Sequence, residues 1–203
     1  ANISELQTAV KLYDEGGTVY DEWKSKTDTT DLRFIDYNDK SFVDNTEEML
    51  VKIVDNCERA KELLEKNMPK LRDHKDIEVP IPSEPGHVYK QEYFTRVFED
   101  CKTKIPKYRS YCIELKENRK MRETIVSELQ MVDKLDGEAN SENWPDKKEL
   151  SSYRVRNIRL GKYKQLKVLL EKNIPLCDKM GIIEVPIPSK PGYVYKREHY
   201  IRV

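Results

Sequence analysis

The side chains best suited to chemistry in this chain are four cysteines, Cys57, Cys101, Cys112 and Cys177, and three histidines, His74, His87 and His199. No two cysteines stand in CxxC spacing and no histidine clusters with them, so zinc and other metal sites are not expected. Cys101 with His87 is a thiol–imidazole pairing that the sequence leaves open as nucleophile and base. GxSxG, GxxxxGK[ST], HExxH and GxGxxG are all absent, and seven glycines leave little material for phosphate-cradling loops. Carboxylates abound, but a pair on a solvated helix face is not an active site. The expectation is a non-enzymatic chain without metal or cofactor.

The cysteines have a second use. An even count fits two disulfides in an oxidising compartment, and Cys57–Cys101 with Cys112–Cys177 is the favoured pairing, each loop stabilising by about 3–4 kcal/mol in the chain-entropy model. The competing reading is that Cys57, which falls on an apolar helical stripe, is a buried free thiol. Ala1 in place of Met permits a processed, secreted chain, and Asn2-Ile3-Ser4 is a glycosylation sequon.

Basic residues make the third candidate set. In Tyr153–Lys172, Arg154, Arg156, Arg159, Lys162, Lys164 and Lys167 interleave with Tyr153 and Tyr163, a composition suited to an acidic protein or a sulfated glycan. Formal charge is zero overall, yet residues 1–101 hold 14 Lys+Arg against 23 Asp+Glu and residues 102–203 hold 23 against 14. That zero balance disfavours general nucleic-acid binding, and the paired alternative is that the two halves solubilise or neutralise each other.

The elements that must position these groups are repeated. Leu63–Val97 aligns without a gap on Leu169–Val203 with 21 identities in 35 positions, a tandem duplication on a period too long for a solenoid. Two homologous units follow, residues 1–106 and 107–203, with about 15 extra residues in the first, near 27–45. "DEGGTVYDEW" (Asp14–Trp23) echoes "LDGEANSENW" (Leu135–Trp144), which suggests a helix, a glycine-containing turn, a tryptophan, a helix and a strap in each unit. Met49, Ile53, Val54, Cys57, Ala60, Leu64 and Met68 recur at helical spacing. That pattern predicts a helix over 46–68, capped by Asn45 and stopped at Pro69. A matching helix is expected over 147–174, stopped at Pro175, with a long helix after Pro106 and a short one around Leu6, Val10 and Tyr13.

Each unit ends in a proline-rich segment, "EVPIPSEPGHVYK" (Glu78–Lys90) and "EVPIPSKPGYVYK" (Glu184–Lys196). Pro80, Pro82, Pro186 and Pro188 fix φ and remove backbone donors, so the segment reads as a stiff extended strap that excludes helix and central strand alike. Its valines and isoleucines are expected to pack on the bundle, the Pro-Gly pair to turn the chain, and a helix to start near Tyr89 or Tyr195. The alternative is that the exposed prolines with Tyr89 and Tyr195 form a recognition surface for an aromatic groove.

No run approaches the 18 or more apolar residues of a membrane span. The fold class expected is all-α. In style, Lys/Glu/Tyr-rich with four cysteines, the chain is similar to salivary and haemolymph proteins of insects, and no motif carries more than that style. The function expected is a secreted binding protein that takes a protein, a glycan or a small ligand, through an inter-repeat groove or through its basic second half. The alternative is a cytoplasmic helical scaffold with reduced cysteines.

Overall fold

The computed structural model describes residues 1–73, 77–141, 152–182 and 184–202. It is mostly helical, in the order α1 (Ile3–Lys24), α2 (Lys40–Asp73), β1 (Val79–Pro80), β2 (Val88–Tyr89), α3 (Gln91–Asn140), α4 (Ser152–Met180), β3 (Glu184–Pro186), β4 (Val194–Lys196) and α5 (Arg197–Arg202). Contacts divide the chain into two compact units, Ala1–Lys116 and Glu117–Val203, and α3 contributes residues to both. Among the described residues no helix is long and apolar enough to cross a membrane.

In the first unit α1 opens on Asn2, whose side-chain oxygen accepts from the Glu5 N–H, satisfying a donor that the first helical turn leaves unpaired. This places the sequon asparagine in a capping role. Leu6, Ala9 and Val10 lie on one face and are buried, which is the stripe that packs α1 on α2. The pairing is antiparallel: Asn2 N–H donates to Asn67 Oδ1, the Asn56 amide to the Leu12 carbonyl, and Trp23 Nε1 to Thr46 Oγ1. Residues 16–17 do not form the turn expected of them. A Cβ added at Gly16 would stand 3.9 Å from the Ile53 Cα, an ordinary contact, so the backbone there is plain helix and α1 continues to Lys24.

The cap and the stops of α2 also differ from expectation. It starts at Lys40 with Asp39 accepting from the Phe42 N–H at 2.9 Å, because Val43 and Thr46 extend the buried stripe one turn earlier. The helix passes through Pro69 to Asp73. Pro69 is exposed while Leu64, Met68 and Leu71 around it are buried. The packed stripe therefore carries the helix across a position that loses one backbone bond on the solvent side. The same holds for Pro106, which lies inside α3 and is exposed, and for Pro175 inside α4. α4 is described from Ser152, and the expected start at residue 147, with Trp144, lies outside the described residues.

The proline-rich segments are hairpins. β1 pairs with β2 in the register Val79↔Tyr89 and Pro80↔Val88, and β3 with β4 in the register Val185↔Tyr195 and Pro186↔Val194, 106 residues on. Strands of two and three residues with one open edge accommodate prolines that a central strand could not. The connecting turns match bond for bond. Ile81 N–H donates to the His87 carbonyl and His87 N–H to the Glu84 carbonyl, each at 3.0 Å, and Ile187, Tyr193 and Lys190 repeat this at the same distances. Gly86 and Gly192 stand at φ of 88° and 84°, which glycine adopts without strain. Val79 and Val185 are buried, whereas Ile81 and Ile187 are half-exposed.

The second unit packs Ile125, Leu129 and Val132 of α3 against Leu166, Leu170, Cys177 and Met180 of α4, with Val185 and Tyr200 closing the core. α4 ends on Gly181 at φ 62°, and the Ile182 N–H reaches back to the Cys177 carbonyl at 2.9 Å, a left-handed stop that satisfies a terminal carbonyl.

Candidate functional site

In each unit two side chains spaced two apart on one helix hold its neighbours, the glutamate the adjacent long helix and the glutamine the hairpin. In the first unit Glu5 accepts from Lys66 Nζ at 2.5 Å and from Asn67 Nδ2 at 2.8 Å, and Gln7 Nε2 donates to the Pro80 carbonyl at 2.8 Å. In the second, Glu128 accepts from Lys172 at 2.6 Å and Asn173 at 2.7 Å, and Gln130 donates to the Pro186 carbonyl at 2.9 Å. Asn67 and Asn173 also donate to the carbonyl four residues before them, Leu63 and Leu169. Sequence reasoning missed this fastening although its signal is plain. Ser4-Glu5-Leu6-Gln7 recurs as Ser127-Glu128-Leu129-Gln130, offset by 123 where the tail is offset by 106. Hydrogen bonds from Lys66 and Asn67 hold the Glu5 carboxyl below the usual carboxylate range, and Lys172 and Asn173 do the same for Glu128. Both fastenings are therefore complete above the ordinary glutamate pKa and are lost as pH falls through the lowered one.

The strap tyrosines turn inward. Tyr89 stacks on Tyr93 with ring centroids 4.5 Å apart, and Tyr195 on His199 at 3.9 Å. Both rings are half-buried, so the tyrosine half of the proposed aromatic recognition surface is occupied within the unit. In the second unit a polar cluster adjoins the stack: Tyr200 donates to Asp133 Oδ2 at 2.9 Å and His199 Nε2 lies 3.3 Å from Asp133 Oδ1. Val10 and Phe94 hold the corresponding places in the first core.

All four cysteines are free thiols, a correction to the disulfides expected from their even number. Cys57 and Cys101 are nevertheless neighbours, as the favoured pairing requires. The Cys101 thiol donates to Cys57, and that bond together with burial pushes Cys101 up. Cys112 packs at the edge of the first core and Cys177 inside the second. Cys101 does not meet His87, which is exposed on the hairpin turn 3.9 Å from Glu84, so no thiol–imidazole pair forms. Thiolates react and thiols in apolar surroundings do not. Iodoacetamide under native conditions is accordingly expected to modify the half-exposed Cys112 first, with Cys57, Cys101 and Cys177 following only on unfolding; peptide mass mapping over time checks the order.

The basic stretch lies on α4 and divides. Lys162 pairs with Glu138, and Tyr163 donates to Asn140 Oδ1 at 2.8 Å, both reaching back to the end of α3. Lys167 pairs with Glu171 at 3.6 Å on the surface. Arg154, Arg156 and Lys164 are exposed, while Arg159 is half-buried with an Nε that has no hydrogen-bond partner among the described residues. Tyr153, Leu160 and Val168 stand among these charges 73%, 51% and 64% exposed. In helical projection Tyr153, Leu160, Lys164, Lys167 and Val168 share one side, a mixed apolar and basic face.

A surface groove of about 760 Å³ runs along α1 in the first unit, lined by Gln7, Lys11, Asp14, Lys52, Pro82 and Tyr89 among others. Burial pushes the Asp14 carboxyl up, with Lys104 opposing. This is an open surface groove, not the enclosed cavity that buries most of a small ligand. No group of three or more metal-ligating side chains converges among the described residues. No protein-family model, curated protein or solved structure matches the chain.

Proposed function

We propose that the chain is a non-enzymatic binding protein built from two duplicated helix–hairpin units, with α4 of the second unit as its docking helix for an acidic partner protein. The observation that carries this reading is the exposed face of α4, where Tyr153, Leu160 and Val168 lie beside Arg156, Lys164 and Lys167. Large apolar side chains among cations with few carboxylates suit a partner that brings both acid and apolar surface. The duplication is supported by the repeated fastening, since Gln7 and Gln130 donate to equivalent hairpin carbonyls while Glu5 and Glu128 accept from equivalent Lys-Asn pairs on α2 and α4.

The test uses immobilised polyglutamate and heparin as probes. Wild type is expected to elute at higher salt than Arg156→Glu/Lys164→Glu/Lys167→Glu, and a Lys11→Glu/Lys52→Glu control in the first unit to elute near wild type on polyglutamate. Equal elution of all three would remove α4 from the reading. Heparin retention surviving while polyglutamate retention is lost would identify a glycan partner.

An extracellular setting is part of this proposal, and the intracellular scaffold is its rival. The four free thiols favour the rival, and the Cys57–Cys101 neighbourhood favours the first. Non-reducing peptide mapping of protein taken from its native source decides, because a Cys57–Cys101 linked peptide belongs to an oxidising compartment.

A further inference from the structure

Between α1 and the first hairpin the groove of about 760 Å³ is walled by Gln7, Val10 and Asp14 on the helix and by Pro82, Ser83 and Tyr89 on the hairpin. Its charges are unevenly matched at this end. Lys11 faces Glu15 at 3.9 Å, while the Asp14 carboxylate has no hydrogen bond or ion pair among the described residues. Lys104, the cation that opposes the effect of burial on Asp14, gives its ammonium to the Tyr13 hydroxyl at 2.8 Å. Glu84 stands on the turn beside Ser83 with its side chain 62% exposed, and His87 at 3.9 Å neutralises it only when protonated. Burial first, then the charges of Asp14 and Glu84, push the Tyr89 hydroxyl up, so both carboxylates act on one ring. The second unit keeps this frame and changes its charge. Because Gln7 and Gln130 donate to the equivalent Pro80 and Pro186 carbonyls, Asp14 corresponds to Gly137, Glu84 to Lys190 and Tyr89 to Tyr195. The matching face of α3 is open too, with Met131, the equivalent of Thr8, 47% exposed. The open face therefore belongs to both units, and the two carboxylates around the tyrosine belong to the first alone.

We propose that this groove docks a basic segment of a partner protein, with an arginine or lysine side chain seated beside Tyr89 between Asp14 and Glu84. Charge and shape define that occupant. A partly desolvated carboxylate without a cation is satisfied by an incoming one, and an aromatic ring beside it adds to the attraction. Residues 1–101 hold 23 acidic side chains against 14 basic ones, so the field of this half draws a basic partner and repels an acidic one. The groove stays open along α1 from Gln7 to Glu22. A small amine would leave much of its surface in water there, whereas a peptide chain adds contacts along the helix. That stretch of α1 is about 22 Å long at 1.5 Å per residue, the span of about seven extended residues. The surface lies on the other unit from α4 and takes the opposite charge, so neither reading depends on the other.

The probes are two fluorescein-labelled, serine-rich peptides of about nine residues, one with a central pair of arginines and the other with citrulline, uncharged and of the same shape, in their place. Anisotropy titration is expected to show the arginine peptide binding wild type, and the citrulline peptide binding about fivefold or more weakly. Asp14→Asn/Glu84→Gln is expected to weaken the arginine peptide by a similar factor and to leave the citrulline peptide unchanged. Asp55→Asn/Glu62→Gln removes the same charge from a separate, exposed surface of α2, and leaves the arginine peptide within about twofold of wild type. Circular dichroism confirms that both double variants are folded. Equal weakening by the two double variants overturns the proposal, because the acidic half would then attract the peptide without a site. Absence of binding by the arginine peptide overturns it as well. So does concentration-dependent dimerisation of wild type that Asp14→Asn/Glu84→Gln abolishes, which gives the groove to a second copy of the chain.

Discussion

Replacing Tyr200 with Phe is expected to destabilise the second unit by about 1–3 kcal/mol, and adding Asp133→Val to that variant is expected to restore most of the loss. The Tyr200 hydroxyl donates to a carboxylate beside the core at 2.9 Å. Removing the donor leaves Asp133 with its desolvation and without its shortest bond, and removing the carboxylate alone leaves the buried hydroxyl unpaired. Removing both gives the Val and Phe that the first unit holds at Val10 and Phe94. Hydrogen exchange at α4 and α5 amides reports the second unit by itself. Single and double variants equally destabilised would show that no coupling exists.

The same cluster sets a pH dependence. Burial pushes the Asp133 carboxyl above its ordinary value of 3.8, with Tyr200 and then His199 pulling it down, and Asp136 adds to the upward push. A carboxyl raised by folding favours the fold fully below its unfolded pKa, and the advantage is lost as pH rises through the folded value. Asp133→Asn cannot ionise, so its stability relative to wild type is expected to improve as pH climbs above 3.8. A difference that does not change with pH contradicts this.

Leu64→Ala is expected to cost the first unit about 2–5 kcal/mol, and Leu170→Ala, the equivalent change in the second, clearly less. Both leucines stand in the repeated Leu-Leu-Glu-Lys-Asn run, and their own exposures, 0% and 9%, differ little. Their surroundings differ more. Truncation at Leu64 opens a cavity under α3, whose walls relax only in part. Truncation at Leu170 enlarges a groove on α4, lined also by Tyr163 and Ile174, that is already open to water, so less dispersion and less buried area are lost. Equal costs, read from urea-dependent hydrogen exchange in each unit, would mean that the α4 groove is as closed as the α2 core.

The helical class and the α2 stripe were legible because burial imposes a 3–4 period that no other element shares. The repeated tail was legible because Val79 and Val185, Gly86 and Gly192 and Asn67 and Asn173 are each held by packing, backbone sign or a buried amide. The three prolines inside helices misled, Pro69 and Pro175 as stops and Pro106 as a start, since a boundary signal is local while the packing that overrides it is not: Leu71 beyond Pro69 is fully buried. The hairpins were hidden because strands of two or three residues are too short for alternation to show. The Glu-x-Gln fastening was hidden by its separate offset, since Glu5 stands 62 positions before Asn67 and Glu128 45 before Asn173, a difference spread over the helices and the connection between them. The exposed side of α4 was only half legible: the cations were visible, but which of them fold back on α3 depends on Glu138 and Asn140 standing opposite.

The two hairpin turns keep the same backbone bonds and the same left-handed glycine while their tips carry different chemistry. Glu84 and His87 occupy one, Lys190 and Tyr193 the other. The frame therefore does not depend on what it displays, and the chain holds two interchangeable brackets, one tipped acidic and one basic. Foreign side chains grafted at these four positions should be carried on a preset loop without re-engineering the protein beneath.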